Sequence, residues 1–159
     1  MRKFEKVSKE TLQKIFGDNF DMSLYDDLEL PKRATKYSAG YDFHMPMEAA
    51  IGPKATLMVY TLVKCDMEKD NVLLIDIRSS LGFKYNLRLI NTIAVIDKDY
   101  YNNPDNEGLI GIKLYNAGDQ VVHFKKGDRF AQGIFVKYDI TDDDEVEKER
   151  EGGFGSTGK

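Results

Sequence analysis

From about Tyr37 onward the sequence consists of short runs rich in Val, Ile, Leu and Tyr, separated by Gly, Pro, Asn and Asp at intervals typical of strands. We predict strands over residues 55–64, 72–77, 92–97, 109–115, 121–124 and 131–138. The sequence has no repeat of fixed period, which excludes repeat architectures. This pattern favours an all-β fold, a sandwich or a barrel.

The N-terminal segment has a helical pattern instead. Ser8 can cap a short helix that Gly17 would end, and Leu12, Ile15 and Phe16 would share one face of it. At the other end of the chain, residues 142–151 are dense in acidic side chains and nearly lack apolar ones, which is typical of a solvated connector.

With 159 residues the chain is long enough for one compact domain, and length alone argues against two. We expect three parts: an N-terminal extension with the possible helix at 1–30, a β-barrel at 31–140, and an acidic connector with a Gly-rich C-terminal lid at 141–159.

Charge and composition exclude several classes of function. A net charge of -4 provides no broad basic field, so duplex nucleic acid is not an expected partner and any anion site must be local. No apolar run is long enough for a signal peptide or a membrane span, and we expect a cytoplasmic protein. Cys65 is expected in the core, and His44 and His123 lack zinc-ligand spacing.

The segment 152–158 combines four glycines, two hydroxyls and one aromatic ring. Its unencumbered backbone amides suit phosphate contacts. A P-loop needs a strand before and a helix after, and we expect neither here. A disordered tail remains the alternative, but an isolated Phe154 favours a lid that stacks on a base.

Four further segments carry polar groups near predicted strands. Strand alternation would put Asp97 and Asp99 on one face and Lys98 and Tyr100 on the other. A carboxylate there could deprotonate a water while the Tyr ring packs on a sugar, although a plain surface hairpin is an alternative.

The other three segments carry Arg78–Ser80, Gln132 and Asp42. Arg78, Ser79 and Ser80 offer a guanidinium and two hydroxyls to phosphate oxygens, whereas Gln132 follows what reads as a structural turn. Asp42 enters the sheet and could serve a metal or cap a turn.

Taken in order, five segments resemble the motifs of the homotrimeric dUTPases: AGYD at 39–42, RSS at 78–80, IDKDY at 96–100, RFAQ at 129–132 and GGFGSTG at 152–158. The resemblance spans about residues 31–159 and implies a jelly-roll-like β-barrel and a homotrimer whose active sites are shared between chains. It also implies that dUTP with Mg²⁺ gives dUMP and pyrophosphate, which keeps uracil out of DNA, and that the tail crosses to a neighbouring site.

The resemblance assigns Asp97 as the catalytic base and Asp42 as the residue that meets Mg²⁺ through water. It implies that the substrate contacts are Arg78, Ser79, Ser80, Asn91, Val95, Ile96, Asp97, Tyr100, Gly111, Gln132, Arg150, Phe154, Gly155, Ser156 and Thr157. Uracil would be read by backbone of the 91–97 hairpin and near Gly111, because cytosine presents the reverse polarity. Tyr100 would exclude a 2′-hydroxyl.

Two departures leave alternatives open. The family usually has Pro and Gly where this chain has Ile77 and Ser80, and the resulting form is similar to the dCTP deaminases, whose glutamate is missing from 111–115. The return loop 101–108 is longer than the usual Gly turn, so it is either a surface elaboration or a partner-binding loop of a regulatory protein.

A third departure concerns the tail. Arg150 stands four residues before Phe154, whereas the family arginine usually stands five before, where this chain has Glu149. We expect Arg150 to clamp the γ-phosphate, with slack from the two following glycines.

Overall fold

The computed structural model describes residues 1–148, 150 and 152–153. Strands dominate this part of the chain: β1 (Lys3–Lys6), β2 (Lys32–Arg33), β3 (Tyr41–His44), β4 (Ala49–Ile51), β5 (Thr56–Tyr60), β6 (Val63–Asp66), β7 (Asn71–Ile77), β8 (Leu87–Leu89), β9 (Ala94–Ile96), β10 (Gly111–Asn116), β11 (Val122–Phe124) and β12 (Arg129–Lys137). The helices are α1 (Lys9–Phe16), α2 (Met22–Asp26) and α3 (Ser79–Tyr85), and a 3₁₀ turn spans Lys98–Tyr100.

The strands of the described residues form antiparallel sheets. The largest has the order β2-β3-β12-β7-β9, a second has the order β5-β10-β8, and β1-β6 and β11-β4 are pairs. Side chains from these sheets, including Phe43, Ile75, Leu114 and Phe130, are almost wholly buried in one core. The predicted all-β, jelly-roll-like fold is therefore confirmed, although these sheets do not close into a single barrel.

The predicted strand at 55–64 is wrong, since the structure has two strands there. Leu62 adopts a φ of 61°, a left-handed conformation that a regular strand cannot contain. The chain consequently turns between β5, which pairs with β10, and β6, which pairs with β1. The other predicted strands are present, with ends that shift by up to two residues.

The predicted N-terminal helix is confirmed as α1. The Ser8 hydroxyl accepts a hydrogen bond from the Thr11 amide, and Gly17 ends the helix with a φ of 85°. Leu12 is fully buried, whereas Ile15 is 37% exposed. No helix in the described residues has the length and apolarity needed to span a membrane.

The first residues also join the β fold directly. β1 pairs with β6 over four residues, and Phe4 contacts Tyr41, Phe43 and Phe135. Helix α1 then closes a second, smaller apolar cluster, which contains Val7, Leu12, Leu62 and Leu109. This packing ties the N-terminal segment to the loop that precedes β10.

Candidate active site

Strand β12 lies between β3 and β7 and aligns three polar residues. Gln132 pairs in register with Asp42 on one side and with Asp76 on the other. Arg78 follows the end of β7, so the strand pairing brings its guanidinium to the same end of these strands as Asp42. The residues of three sequence segments that the resemblance grouped as phosphate contacts and metal site therefore meet in the fold.

Asp42 binds two guanidinium groups at this end of the strands. Its Oδ1 lies 3.1 Å from Nε of Arg78, and its Oδ2 accepts a hydrogen bond of 3.1 Å from Nη1 of Arg129. Asp42 is 7% exposed. Because one carboxylate neutralises only one of the two cations, the group keeps a net positive charge that can attract a polyanion.

An open cleft of about 140 Å³ lies beside this group. It is lined by Ala34, Ser38, Gly40, Asp42, Arg78, Ser79 and Gln132. Ser79 and Ser80 begin α3 and are exposed, so both hydroxyls are accessible. A Cβ at Gly40 would lie 2.6 Å from Oε1 of Gln132, so a side chain there would displace the Gln132 amide from the cleft.

Asp97 follows β9, at the edge of the same sheet. The sequence-based alternation of residues 97–100 is wrong, because the strand ends at Ile96 and a 3₁₀ turn begins at Lys98. Asp97 and Asp99 nevertheless share a partner: Arg150 donates to Oδ2 of Asp97 over 2.7 Å and to Oδ1 of Asp99 over 2.8 Å.

Tyr100 lies on this side as well rather than on the opposite face. The Arg150 guanidinium carbon is 5.7 Å from the centroid of its ring. The Tyr100 hydroxyl donates to the Leu109 carbonyl over 2.8 Å and accepts from Asn106 over 2.9 Å. Burial raises the pKa of this hydroxyl, so it stays protonated at neutral pH.

The remaining predicted base contacts surround β9. Among the described residues this strand is the edge of its sheet, and one side of its backbone has no strand partner in that part of the chain. Val95 is 55% exposed and Ile96 is half-buried. Asn91 lies in the exposed turn before β9, and Gly111 begins β10 opposite Tyr60.

Asp97 and Arg78 lie at opposite ends of β7. Ile96 is in register with Leu73, so Asp97 is level with Val72, six residues before Arg78. At a rise of roughly 3.3 Å per residue, the separation is on the order of 20 Å. The proposed base and the anion cleft of one chain are therefore too far apart to act on one phosphate.

The tail is described only in part. The amide of Gly153 donates to Oδ2 of Asp105 over 3.3 Å, and Arg150 makes the contacts given above. The predicted contacts Phe154, Gly155, Ser156 and Thr157 lie outside the described residues.

Sequence reasoning gave no role to several residues that the structure places here. Arg129 lies inside one of the five motifs but carried no assignment, although its strand β12 lies next to β3 and its side chain donates to Asp42. Asn103 and Asn106, buried in the 101–108 loop, had no signal beyond the turn preference of Asn.

The described residues offer few direct ligands for a metal ion. No group of three or more His, Cys, Asp or Glu side chains gathers in the described part of the chain. Asp42 is the carboxylate of the cleft, and each of its oxygens already faces a guanidinium while keeping a second lone pair. This arrangement suits a cation whose direct ligands are phosphate oxygens and water, with Asp42 accepting from a bound water.

The fold and these two groups define a class: a jelly-roll-like β protein with a local anion cleft and a separate carboxylate at a sheet edge. A family model described as dUTPase matches residues 26–158. The deoxyuridine 5′-triphosphate nucleotidohydrolase of Lactococcus lactis is 44% identical over 133 residues, which cover 82% of this chain and 89% of that protein. The chain therefore belongs to the dUTPase family.

Solved structures agree with this assignment. The crystal structure of dUTPase from Streptococcus mutans superimposes with a TM-score of 0.69 at 39% identity, covering 87% of this chain and 98% of that one. A mutant dUTPase of phage phi11 of S. aureus shares the fold, with a TM-score of 0.67 at 18% identity over 93% of this chain and 97% of that one. That phage structure is described as revealing the coordination of a structural Mg(II) ion.

Proposed function

We propose that this chain hydrolyses dUTP to dUMP and pyrophosphate, in the cytoplasm, and so keeps uracil out of DNA. The observation that carries the proposal is the cleft in which Arg78, Ser79 and Gln132 face one open volume beside Asp42. This cleft is small, polar and locally positive in a chain of net negative charge, which suits a triphosphate rather than a nucleic-acid backbone.

In this proposal Arg78, Ser79, Ser80 and Gln132 hold the triphosphate by charge-assisted and neutral hydrogen bonds. Asp97 positions a water and takes its proton as the oxygen attacks the α-phosphorus; the bond from that phosphorus to the bridging oxygen breaks, and pyrophosphate leaves. Asp97 follows the end of an edge strand and is exposed enough for a water to reach it.

Uracil selection is assigned to the backbone around β9. The outer side of this strand, which pairs with no strand of the described residues, presents alternating N–H and C=O groups that match uracil. Asn91, Val95, Ile96 and Gly111 frame the base. Cytosine would leave buried groups without partners, which costs orders of magnitude in rate. The ring of Tyr100 lies under the deoxyribose and leaves no room for a 2′-hydroxyl.

The proposal includes Mg²⁺, which the dUTPase family generally uses. When bound, it would neutralise developing charge on the phosphates. Asp42 would hold one of its waters, and the two flanking guanidiniums would hold that carboxylate in place.

We further propose a homotrimer with shared active sites. The support is the distance between Asp97 and Arg78 along β7, which requires a second chain to bring a carboxylate to a given anion cleft. The part 31–140 would form this catalytic body, with 1–30 as an extension packed on it and 141–159 as connector and lid.

The lid completes the site in this proposal. Phe154 stacks on uracil, while Gly155, Ser156 and Thr157 offer amides and hydroxyls to the phosphates. Arg150 exchanges its two carboxylate partners for oxygens of the γ-phosphate and thereby frees Asp97.

The two alternatives receive less support. A dCTP deaminase would need a glutamate on β10, but the residues of this strand are Gly-Ile-Lys-Leu-Tyr-Asn. A partner-binding role of the 101–108 loop would have to use its exposed residues Asn102, Pro104 and Asp105, since Asn103 and Asn106 are buried and hydrogen-bonded inside the loop.

The decisive experiment measures pyrophosphate release from dUTP, dCTP, dTTP and UTP with Mg²⁺. We expect release from dUTP and little from the other three. Ammonia release from dCTP would favour deamination, and turnover of none of the four would leave only a binding function.

A further inference from the structure

Tyr100 is held by two buried asparagines of the 101–108 loop. Asn106 Nδ2 donates to the Tyr100 hydroxyl over 2.9 Å, and Asn103 Nδ2 donates to the Tyr100 carbonyl over 2.7 Å. The two amides also bind each other, since Asn103 Nδ2 donates to Oδ1 of Asn106 over 2.8 Å. Side chain and backbone of one tyrosine are thus fixed from the same loop.

The loop fixes Asn106 in turn. Its Oδ1 accepts from the Gly108 backbone N–H over 3.0 Å, and its own backbone N–H donates to Oδ1 of Asn103 over 3.1 Å. Asn106 is 8% exposed. A buried amide with partners on both of its polar atoms has one stable orientation, because rotation would leave donors and acceptors unpaired.

The loop is longer than a turn between β9 and β10 requires, and its interior hydrogen bonds converge on Tyr100. We propose that Asn106 is a positioning residue that fixes the Tyr100 ring and so sets the discrimination between deoxyribose and ribose. This inference rests on the proposed function, in which that ring lies under the sugar.

The geometry explains why the hydroxyl of Tyr100 matters although the ring makes the proposed contact. The hydroxyl is held between Leu109 and Asn106, which fixes the ring at its far end, while Asn103 fixes the backbone at the near end. A ring anchored at both ends cannot move aside for a 2′-hydroxyl. With one anchor removed, a displacement of a fraction of an ångström would relieve the clash.

The lid contacts the same loop. A Cβ on Gly153 would lie 2.8 Å from Nδ2 of Asn106 and 2.8 Å from Oδ2 of Asp105. The described tail therefore lies directly on the residues that hold Tyr100, which places this support within the proposed site rather than at a remote surface.

The test compares kcat/KM for dUTP and UTP in the full chain with Mg²⁺. Asn106→Leu removes both polar functions at similar size, and we expect the dUTP to UTP ratio to fall by about tenfold, mainly through faster UTP turnover. Asn102→Gly is the matched control: it removes an exposed loop side chain that accepts from Lys64 and keeps the left-handed backbone (φ 57°). Its ratio should stay within about twofold of the wild type.

Tyr100→Phe provides a second variant that keeps the ring and removes the shared hydroxyl. It should lower the ratio similarly, and Asn106→Leu should add less than about twofold in that background. Equal loss for both substrates in Asn106→Leu would mean a merely structural role and overturn the inference. If Asn106→Leu does not fold, an unchanged dUTP to UTP ratio in Tyr100→Phe is enough to overturn the inference.

Failure of the proposed function has a different signature. A wild-type protein that releases no pyrophosphate from dUTP, or that turns over UTP equally well, contradicts the proposed function before any variant is made, and the inference falls with it. A selective wild type with an unaffected Asn106→Leu ratio contradicts only the inference.

Discussion

Arg150 donates from Nη2 to Oδ2 of Asp97 over 2.7 Å, so the guanidinium of the tail covers the carboxylate that we propose as the base. Arg150 also donates from Nε to Oδ1 of Asp99, so it binds two carboxylates, and its side chain is only 12% exposed. Two carboxylates for one guanidinium leave this group net negative, whereas the Asp42 group is net positive. An incoming triphosphate must therefore displace two carboxylates to bind Arg150.

Replacing Arg150 tests whether this arginine serves the reaction. Arg150→Ala should lower kcat/KM for dUTP by about 10- to 100-fold, the range that charge-assisted hydrogen bonds contribute. Steady-state pyrophosphate release measures it, with Lys148→Ala in the exposed connector as control. A faster Arg150→Ala enzyme would show that the arginine only blocks Asp97.

Asp97→Asn separates binding from chemistry. The amide keeps the size of the side chain and can still accept from a water, but it cannot take the proton. We expect dUTP binding by calorimetry to stay near that of the wild type while turnover falls by at least about 100-fold. Hydrolysis at the wild-type rate would refute Asp97 as the base.

Gly40→Ala tests the anion cleft by steric means alone. The added methyl would lie 2.6 Å from Oε1 of Gln132, a flexible end that can move away. The cost to folding should therefore be small, but Gln132 can no longer face the cleft. We expect KM for dUTP to rise several-fold with an unchanged thermal midpoint. Gly52→Ala, where a Cβ meets no atom within 4 Å, is the matched control, and an equal KM in both variants would contradict the cleft.

The residues of the anion cleft were predictable from sequence, because they lie in short motifs next to strong strand signals. The register that unites Gln132 with Asp42 was not, since strand order depends on pairing between segments almost ninety residues apart. The break at Leu62 was missed for a related reason. An apolar residue in an apolar run gives no local sign of a positive φ, which here is stabilised by burial against α1.

Residues 97–100 also show that contacts between distant segments could not be predicted from the sequence. Asp97 and Asp99 were grouped by alternation, and they do share a partner, but through a 3₁₀ turn rather than a strand. The contact with Arg150 joins positions more than fifty residues apart and has no signature in either segment. The asparagines around Tyr100 were likewise invisible, since their role depends on burial inside a loop.

The last prediction concerns Glu107, a residue of the 101–108 loop that binds Ser8, the N-cap of helix α1. Its carboxylate accepts from the Ser8 hydroxyl over 2.5 Å and from Lys64 over 2.6 Å. Burial alone would raise the pKa of Glu107, but these hydrogen bonds outweigh it and lower the pKa from 4.5 to about 2. Because the pKa is lower in the folded state, ionised Glu107 stabilises the fold at pH values above its unfolded-state pKa of 4.5. That contribution is lost as the pH falls from about 4.5 towards 2.

Glu107→Gln should therefore lower the free energy of unfolding at pH 7 by up to about 3 kcal/mol, and the difference from the wild type should shrink to near zero at about pH 2. Denaturant unfolding at several pH values measures both quantities. Glu10→Gln, on the exposed face of α1, is the control and should leave the wild-type pH dependence intact. If Glu107→Gln loses stability on acidification as steeply as the wild type, the lowered pKa does not belong to Glu107 and the prediction is contradicted. Since Glu107 lies in the 101–108 loop that holds Tyr100, removal of its carboxylate in the same variant should also weaken the selectivity for dUTP over UTP at pH 7.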